Sequence, residues 1–237
     1  MRRLCFKIWF YFVALSVVVP ISLADTQSGK KAYHKRDYKK ALSEFGAAAK
    51  AGDPEGQMRL GVMFLRGEGV VRDSNAAAML FEAAAKSGYV PAQFNLARLY
   101  YSGNGVPFDK AKAAKWFSEA ARQGDVLSTH ALSVLYYDGT GVKKDVQKSI
   151  SLARWAANAG LEDAQYQMGA FYFRGEGVPR NFSEAYYWFY IAWQRGMTKA
   201  ATMVAQLAEK LKPADIGAAE YRAAMWEPKF GENPLTE

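Results

Sequence analysis

The sequence predicts an all-α fold in which pairs of helices stack into a superhelical solenoid. A Gly-x-Gly-Val motif recurs four times at a constant step of 36 residues, and a column of glycines and a column of aspartates keep the same step. Between these columns the apolar residues follow helical spacing, as at Ala92, Leu96 and Leu99. Three independent columns with one period indicate a repeat architecture, because each unit buries its apolar face only against its neighbours.

The first 24 residues have the order of a secretory signal peptide. Basic residues open the chain, residues 8–19 form an uninterrupted apolar run, and residues 22–24 end in small side chains. This apolar run is shorter than the roughly 20 residues that a membrane-spanning helix needs. We therefore expect cleavage before Asp25 and no stable membrane span afterwards, with a retained membrane anchor as the alternative.

The chain after residue 24 has no cysteine and little net charge. Cys5 and three of the basic residues lie in the signal segment, which leaves 28 basic and 23 acidic residues and a net charge of +5. Without thiols there can be no disulfide, thiolate metal site or catalytic cysteine. Residues 25–40 carry +4 and residues 41–237 only +1. This distribution lacks the basic stripe of a nucleic-acid-binding surface, so we predict no nucleic-acid partner.

Residues 25–52 are predicted to be an N-terminal capping helix region. Asp37 begins a segment that matches a second helix of the repeat, and a glycine ends it. Glu44 occupies the position at which another copy has Trp116. Since end units of solenoids carry a polar outer face, we expect one leading helix here.

Residues 53–196 are predicted to form four repeats of two helices each, with boundaries at 53–88, 89–124, 125–160 and 161–196. The first helix ends at the first loop glycine, because glycine tolerates the left-handed conformation that often ends a helix. The aspartate or asparagine after the loop starts the second helix, since its side chain accepts hydrogen bonds from free backbone N–H groups. The predicted structural residues are Gly67, Gly69, Asp73, Gly103, Gly105, Asp109, Gly139, Gly141, Asp145, Gly175, Gly177 and Asn181.

Residues 197–237 are predicted to hold C-terminal capping helices and a tail. Residues 198–211 fit a first helix, but Lys212 and Pro213 replace the glycine loop. Because proline is favoured in the first turn of a helix, residues 213–226 are predicted to form a terminal helix. Stacking all these units to cover their apolar faces predicts about ten helices.

The repeated unit resembles the Sel1-like repeat, a relative of the tetratricopeptide repeat. The matching pattern is L-G/A-x-x-Y/F-x-x-G-x-G-V-x-x-D followed by A-x-x-W-F-x-x-A-A-x-x-G, and its best copy runs from Leu96 to Gly124. The resemblance covers residues 53–196, with several columns matching in all four copies. It implies an α/α solenoid with a concave face whose usual role is to hold other proteins.

One side of the predicted first helices combines aromatic residues with arginines. The resemblance places this side on the concave face, and such side chains are enriched in protein-binding hot spots. The alternative is that several of these aromatics are core residues between layers. The candidate partner-binding residues are Arg59, Phe94, Asn95, Arg98, Tyr101, His130, Tyr137, Tyr166, Gln167 and Arg174.

Arg98 is the strongest single candidate for partner binding. Other repeats hold aliphatic or small residues at its position, so the repeat framework does not require a charge there. His130 is expected to be an exposed imidazole with a pKa of about 6.5, which would make binding sensitive to mild acid.

The sequence contains no convincing catalytic or metal-binding constellation. His34 and His130 are its two histidines, and they lie far apart along the chain. The Gly-x-Gly pairs end helices rather than follow a strand, and no Lys-Ser/Thr pair comes after them as in a phosphate-binding loop. We predict no enzymatic activity, no metal and no cofactor.

The resemblance then favours an exported adaptor or scaffold, periplasmic or secreted. It would bind a protein partner of unknown identity through its concave groove, in bacterial envelope signalling, motility assembly or host interaction. The second hypothesis is a protein that binds peptidoglycan or another envelope component, or that hydrolyses β-lactams, as some cysteine-rich relatives are credited with doing. Those relatives hold their repeats with disulfides, which this chain cannot form after residue 24.

Overall fold

The computed structural model describes residues 26–236, and within that range it contains twelve α-helices and no strand. Consecutive helices pack against one another from the first to the eleventh, and the twelfth packs against the tenth. The all-α solenoid expected from the repeats is confirmed. The predicted signal segment, residues 1–24, and its cleavage position before Asp25 lie outside the described residues.

The helices follow the repeat period closely. A leading pair comes first, α1 (Thr26–His34) and α2 (Tyr38–Lys50). The first helices of the four repeats are α3 (Pro54–Arg66), α5 (Val90–Ser102), α7 (Val126–Asp138) and α9 (Glu162–Arg174). The second helices are α4 (Ser74–Lys86), α6 (Lys110–Arg122), α8 (Val146–Asn158) and α10 (Phe182–Gln194). The last pair is α11 (Thr198–Ala208) and α12 (Pro213–Ala224).

The leading region holds two helices, whereas the sequence led us to expect one. Gly29 and Ala32 of α1 are buried, and a side chain at Gly29 would collide with the ring of Phe45 on α2. α1 thus covers the apolar face that α2 would otherwise expose. The repeat search missed α1 because no Gly-x-Gly loop follows it; a left-handed Arg36, with φ 60°, makes the turn instead.

The two glycines of each repeat loop have different tasks, as the second repeat shows. Gly103 ends α5 with φ 69°, and its N–H donates to the carbonyl of Leu99. Gly105 has φ 76°, and a Cβ placed there would lie 2.0 Å from the carbonyl oxygen of Ser74, the first residue of α4. The first glycine therefore turns the chain, and the second lets the loop touch the preceding repeat.

The residue after each loop caps the second helix as predicted. The side chain of Asp109 accepts a hydrogen bond from the Lys112 N–H, 2.9 Å away, and its own N–H donates to the carbonyl of Tyr100. These bonds fix where α6 begins and how the loop closes onto α5. The equivalent caps in the other repeats are Asp73, Asp145 and Asn181.

The last pair closes the end of the solenoid, and the chain then turns back. Arg222 of α12 forms two hydrogen bonds to the Glu184 carboxylate, of 2.6 and 2.8 Å, and its guanidinium carbon lies 3.5 Å from the ring centre of Tyr187. Residues 226–236, here called the tail, then run along the ends of α8 and α6, where the Lys229 N–H donates to the carbonyl of Asn158.

Candidate protein-binding groove

Three depressions lie along the first helices, and together we call them the groove. The first is formed mainly by α3 with Tyr33 of α1, the second by α3 and α5, and the third by α7, α9 and α11. Their volumes are about 210, 280 and 300 Å³. Nine of the ten candidate partner-binding residues line them; the tenth, Phe94, packs against the core ring of Phe117 with ring centres 5.8 Å apart.

The first depression contains Arg59, whose charge is already neutralised. Its guanidinium bonds to the Glu55 carboxylate at 3.1 Å, and Lys30 of α1 lies 2.6 Å from the same carboxylate oxygen. Burial raises the pKa of Glu55, but the hydrogen bonds from Lys30 and Arg59 outweigh this effect and lower it. Lys30 therefore links α1 to α3, and Arg59, paired within α3, offers no free charge.

The second depression contains the exposed pair Arg98 and Tyr101, with apolar Leu65 and Leu99 beside them. The Arg98 guanidinium lies over the Phe94 ring, 5.7 Å from its centre, and forms no ion pair with any residue that the structure describes. Tyr101 is 45% exposed.

Asn95 completes the predicted set in the second depression. Its side-chain Nδ2 donates to the Pro91 carbonyl at 2.8 Å, one turn earlier in α5. Arg98, Tyr101 and Asn95 thus place a free cation, a phenol and an amide beside apolar surface.

The third depression gathers five candidate residues from two helices. They are His130, Tyr137, Tyr166, Gln167 and Arg174. Several already bond to one another or to neighbours: the Ser133 hydroxyl donates to the Gln167 oxygen at 2.9 Å, and Arg174 donates to Glu176 at 2.8 Å. The side chains of this depression are therefore more pre-organised than those of the second, and fewer of their polar groups are available to a partner.

Tyr137 is held by the loop of the following repeat. Its hydroxyl donates to the Glu176 carboxylate, and its ring packs edge-on against Phe171, with ring centres 5.6 Å apart. The hydrogen bond to Glu176, followed by burial, raises the pKa of Tyr137. Hydrogen bonds from Tyr137 and Arg174 lower the pKa of Glu176.

His130 differs from the exposed imidazole that the sequence led us to expect. It is half-buried, and burial lowers its pKa below the ordinary value. Asp163 and a hydrogen bond with Gln167 act in the opposite direction, whereas Lys199 again lowers the pKa. The side chain is therefore less protonated than a free histidine at the same pH, because the charged form would lose hydration.

Two contributors to the groove were missed in the sequence. Lys199 of α11 closes the third depression, with its Nζ 4.7 Å from the ring centre of Tyr166 and 3.4 Å from the Asp163 carboxylate. Tyr33 of α1 donates to Glu68 and accepts from Arg66. For Tyr33 the sequence offered one signal. The Arg-Gly-Glu-Gly loop, which contains its partners Arg66 and Glu68, occurs only in the first and fourth repeats.

Over residues 26–236 we find no group of three or more His, Cys, Asp or Glu side chains that could hold a metal ion. In the same range, none of the helices has both the length and the apolar character needed to cross a membrane.

The comparisons with known proteins agree with this geometry. A family model described as Sel1 repeat matches residues 54–89, 90–125, 126–161 and 162–197, more than half of the chain. The chain belongs to the Sel1 repeat family. Each match begins one residue after the boundary predicted from the glycine columns, and Sel1 repeats typically mediate protein binding as non-catalytic scaffolds.

Several solved Sel1 repeat structures have the same fold. A Sel1 repeat protein from Oxalobacter formigenes aligns with a TM-score of 0.73 and 24% identity, covering 86% of each chain. A protective antigen of uropathogenic Escherichia coli with an SLR fold gives 0.56 and 24%, covering 88% of this chain and 53% of the other. A Sel1 repeat protein from Klebsiella pneumoniae gives 0.50 and 22%, covering 80% and 99%. The comparison with curated proteins gives no match.

Proposed function

We propose that this Sel1 repeat protein is an exported, non-enzymatic adaptor that binds a partner protein in its groove, with Arg98 and Tyr101 as the main anchors. The signal-peptide pattern of residues 1–24 supports export, and so a periplasmic or secreted location. The family's scaffold role supports protein binding. The observation that carries the proposal is the free charge of Arg98.

Arg98 is distinguished from the other two candidate arginines by its surroundings. Arg59 is paired with Glu55 and Arg174 with Glu176, so a partner would have to displace an existing carboxylate. Arg98 has no ion pair within the described range, and its aliphatic stem and the adjacent Tyr101 ring offer apolar contact area. A cation beside an exposed aromatic is the composition of a binding hot spot.

The chemistry of the second depression defines the partner surface that fits it. A carboxylate of the partner would pair with Arg98, and an apolar side chain next to it would contact Leu65 and Tyr101. An arginine forms two parallel hydrogen bonds with a carboxylate, which adds geometric specificity to the charge attraction. The partner thus presents an acidic residue beside an apolar one.

The test is photo-crosslinking in the native envelope. A photoreactive residue at Tyr101 is expected to capture a defined partner, whereas the same residue at Tyr221, exposed on α12, should not. In the purified complex, Arg98→Ala should weaken binding by about 2 kcal/mol, roughly thirtyfold. Arg122→Ala, a matched loss of an exposed arginine on α6, should leave binding unchanged.

Two further assays address the alternative of an envelope enzyme or sugar binder. The protein is expected neither to hydrolyse nitrocefin nor to sediment with peptidoglycan sacculi. Hydrolysis that follows the protein through purification, or sedimentation that survives Arg98→Ala, would overturn the adaptor proposal. Equal capture of the partner by wild type and Arg98→Ala would remove the groove from the proposal.

A further inference from the structure

The tail makes a series of specific contacts at the ends of two second helices. The Lys229 N–H donates to the carbonyl of Asn158, 2.8 Å away. The Trp155 indole N–H donates to the Gly231 carbonyl at 3.1 Å. Both partners lie in the last turn of α8, more than 70 residues earlier in the chain.

The contacts continue along the tail to α6. The Asn233 carboxamide donates to the carbonyl oxygen of Ala121 at 2.6 Å. Leu235 packs against the core cluster that contains Ala121 and Leu132. Five residues of the tail thus make contacts, Lys229, Phe230, Gly231, Asn233 and Leu235, and the chain turns at residues 234–235, where the Thr236 N–H donates to the Asn233 carbonyl.

Helix ends supply the hydrogen-bond acceptors of this surface. Asn158 is the last residue of α8, and Ala121 is the next to last of α6. The final four carbonyls of an α-helix have no partner inside the helix, and that of Ala121, which accepts the Gly124 N–H, has a second lone pair for another donor. A peptide that lies across these ends can therefore be held by its N–H groups without disturbing either helix.

In two neighbouring repeats, the carbonyl at the position equivalent to Ala121 accepts a hydrogen bond from a glutamine side chain of the next repeat. The Gln93 carboxamide donates to the Ala85 carbonyl at 3.3 Å, and the Gln165 carboxamide donates to the Ala157 carbonyl at 3.2 Å. In the repeat between them Thr129 occupies the position of these glutamines, and its hydroxyl donates to the carbonyl of Asp125, the N-cap residue of α7. Thr129 is too short to provide the missing amide.

Asn233 supplies from the tail the carboxamide that Thr129 lacks. We propose that the ends of α6 and α8 form a binding site for a short peptide that ends in a turn, and that the tail occupies it as an exchangeable ligand. The site takes a segment with an aromatic residue, a carboxamide three positions later and leucine two positions after that, as in Phe230, Asn233 and Leu235. A partner protein with such a segment would replace the tail.

The tail is held loosely enough to be exchanged. Phe230 contacts Trp155 edge-on, with ring centres 6.2 Å apart, yet remains 70% exposed. A segment with few buried contacts opens at a small free-energy cost. An incoming peptide competes mainly with the high effective concentration of the tethered tail.

This peptide site uses none of the groove residues. An experiment that rejects the peptide site therefore leaves the proposed function of the groove untouched, and the reverse also holds.

The test measures binding of a fluorescein-labelled peptide of residues 226–236 to the full chain by fluorescence anisotropy. Wild type should bind it weakly because its own tail competes. The double variant Phe230→Ala, Asn233→Leu weakens the tail and should bind the peptide at least about tenfold more tightly. A peptide with leucine in place of Asn233 should not bind.

Adding Thr129→Gln to the double variant should abolish peptide binding, because the new carboxamide can reach the Ala121 carbonyl from within. Thr202→Gln, the same change at an exposed position of α11, should leave binding intact. Trp155→Ala gives a second loss of binding, and thermal unfolding verifies that each variant is folded. No saturable binding by the folded double variant, or undiminished binding after Thr129→Gln, would overturn the proposal.

Discussion

The hydroxyl of Tyr137 donates a 2.7 Å hydrogen bond to Oε2 of Glu176, a residue in the glycine loop of the next repeat. The same oxygen accepts a hydrogen bond from Arg174. Repeats two and three lack the Arg-Gly-Glu-Gly loop, so this triad is confined to the two ends of the repeat array and the middle of the groove stays free of it. The equivalent residues at the other end are Tyr33, Arg66 and Glu68.

Tyr137→Phe should lower the free energy of unfolding by about 1 kcal/mol, because it removes a cross-repeat hydrogen bond but keeps the ring against Phe171. Chemical denaturation at neutral pH measures this loss. Tyr136→Phe removes a neighbouring half-buried hydroxyl for which the described residues provide no hydrogen-bond partner, and it should change stability far less. Equal effects of the two changes would mean that the Glu176 contact contributes nothing.

Gly105→Ala should destabilise the protein more than Gly124→Ala. Both glycines have positive φ, 76° and 86°, so each alanine carries the strain of a left-handed residue, about 1 kcal/mol. At Gly105 the new Cβ also meets the Ser74 carbonyl, whereas at Gly124 nothing lies within 4 Å. The collision should cost about 1 to 3 kcal/mol more, as in other overpacked sites. Thermal midpoints that fall equally for both variants would contradict the close approach of the loop.

The depressed pKa of His130 should make the protein less stable in mild acid. Well above the ordinary pKa of 6.5 the side chain is neutral in both the folded and the unfolded state. As the pH falls below 6.5, the unfolded chain takes up a proton before the folded one does, so the free energy of unfolding decreases until the folded side chain is also protonated. Urea denaturation at pH 7.5 and 5.5 should show this decrease.

Two variants isolate the contribution of His130 to this pH dependence. His130→Gln removes the titrating group and should make stability vary less between the two pH values. His34→Gln, which removes an exposed histidine of α1, should leave the wild-type dependence unchanged. Identical pH dependence of wild type and His130→Gln would contradict the burial of a neutral imidazole.

Arg222→Lys should loosen the terminal helix although it preserves the charge. A lysine cannot form the two hydrogen bonds to Glu184 or stack its head group on the Tyr187 ring as a guanidinium does. The pair is half exposed, so the loss should not exceed about 1 kcal/mol. Hydrogen exchange of the α12 amides should accelerate. Arg122→Lys, at a single exposed contact with Glu119, should leave exchange in α6 unchanged.

The repeat columns predicted most helix boundaries because the backbone conformation at each of these positions requires a particular residue type. Gly67, Gly103, Gly139 and Gly175 lie in left-handed C-terminal caps of α3, α5, α7 and α9. α1 and the packing of the tail against α6 and α8 escaped prediction because neither belongs to the period. α1 is recognised only from the space that it fills beside Phe45, and the position of the tail only from its contacts, such as the second hydrogen bond that the Ala121 carbonyl accepts from Asn233.

The groove was predictable in position but not in electrostatics. Periodicity placed nine of the ten candidates along three depressions. Which arginines are free depends on acidic partners one turn earlier in the helix, or in the loop after it, as for Glu55 and Glu176. The pKa of His130 likewise depends on Lys199, a residue of the capping helix α11, for which the repeat gives no register.

The tail also changes how the solenoid can come apart. In a stack of repeats each unit touches only its neighbours, so the last unit can melt while the others persist. Here Asn233 is bonded to Ala121, 112 positions earlier, so fraying of the last pair also removes a contact in the middle of the array. The tail thus links the two regions, but because it is largely exposed this link opens before the repeats that it joins. Because that contact closes a very long loop of chain, it should be among the last to form during folding.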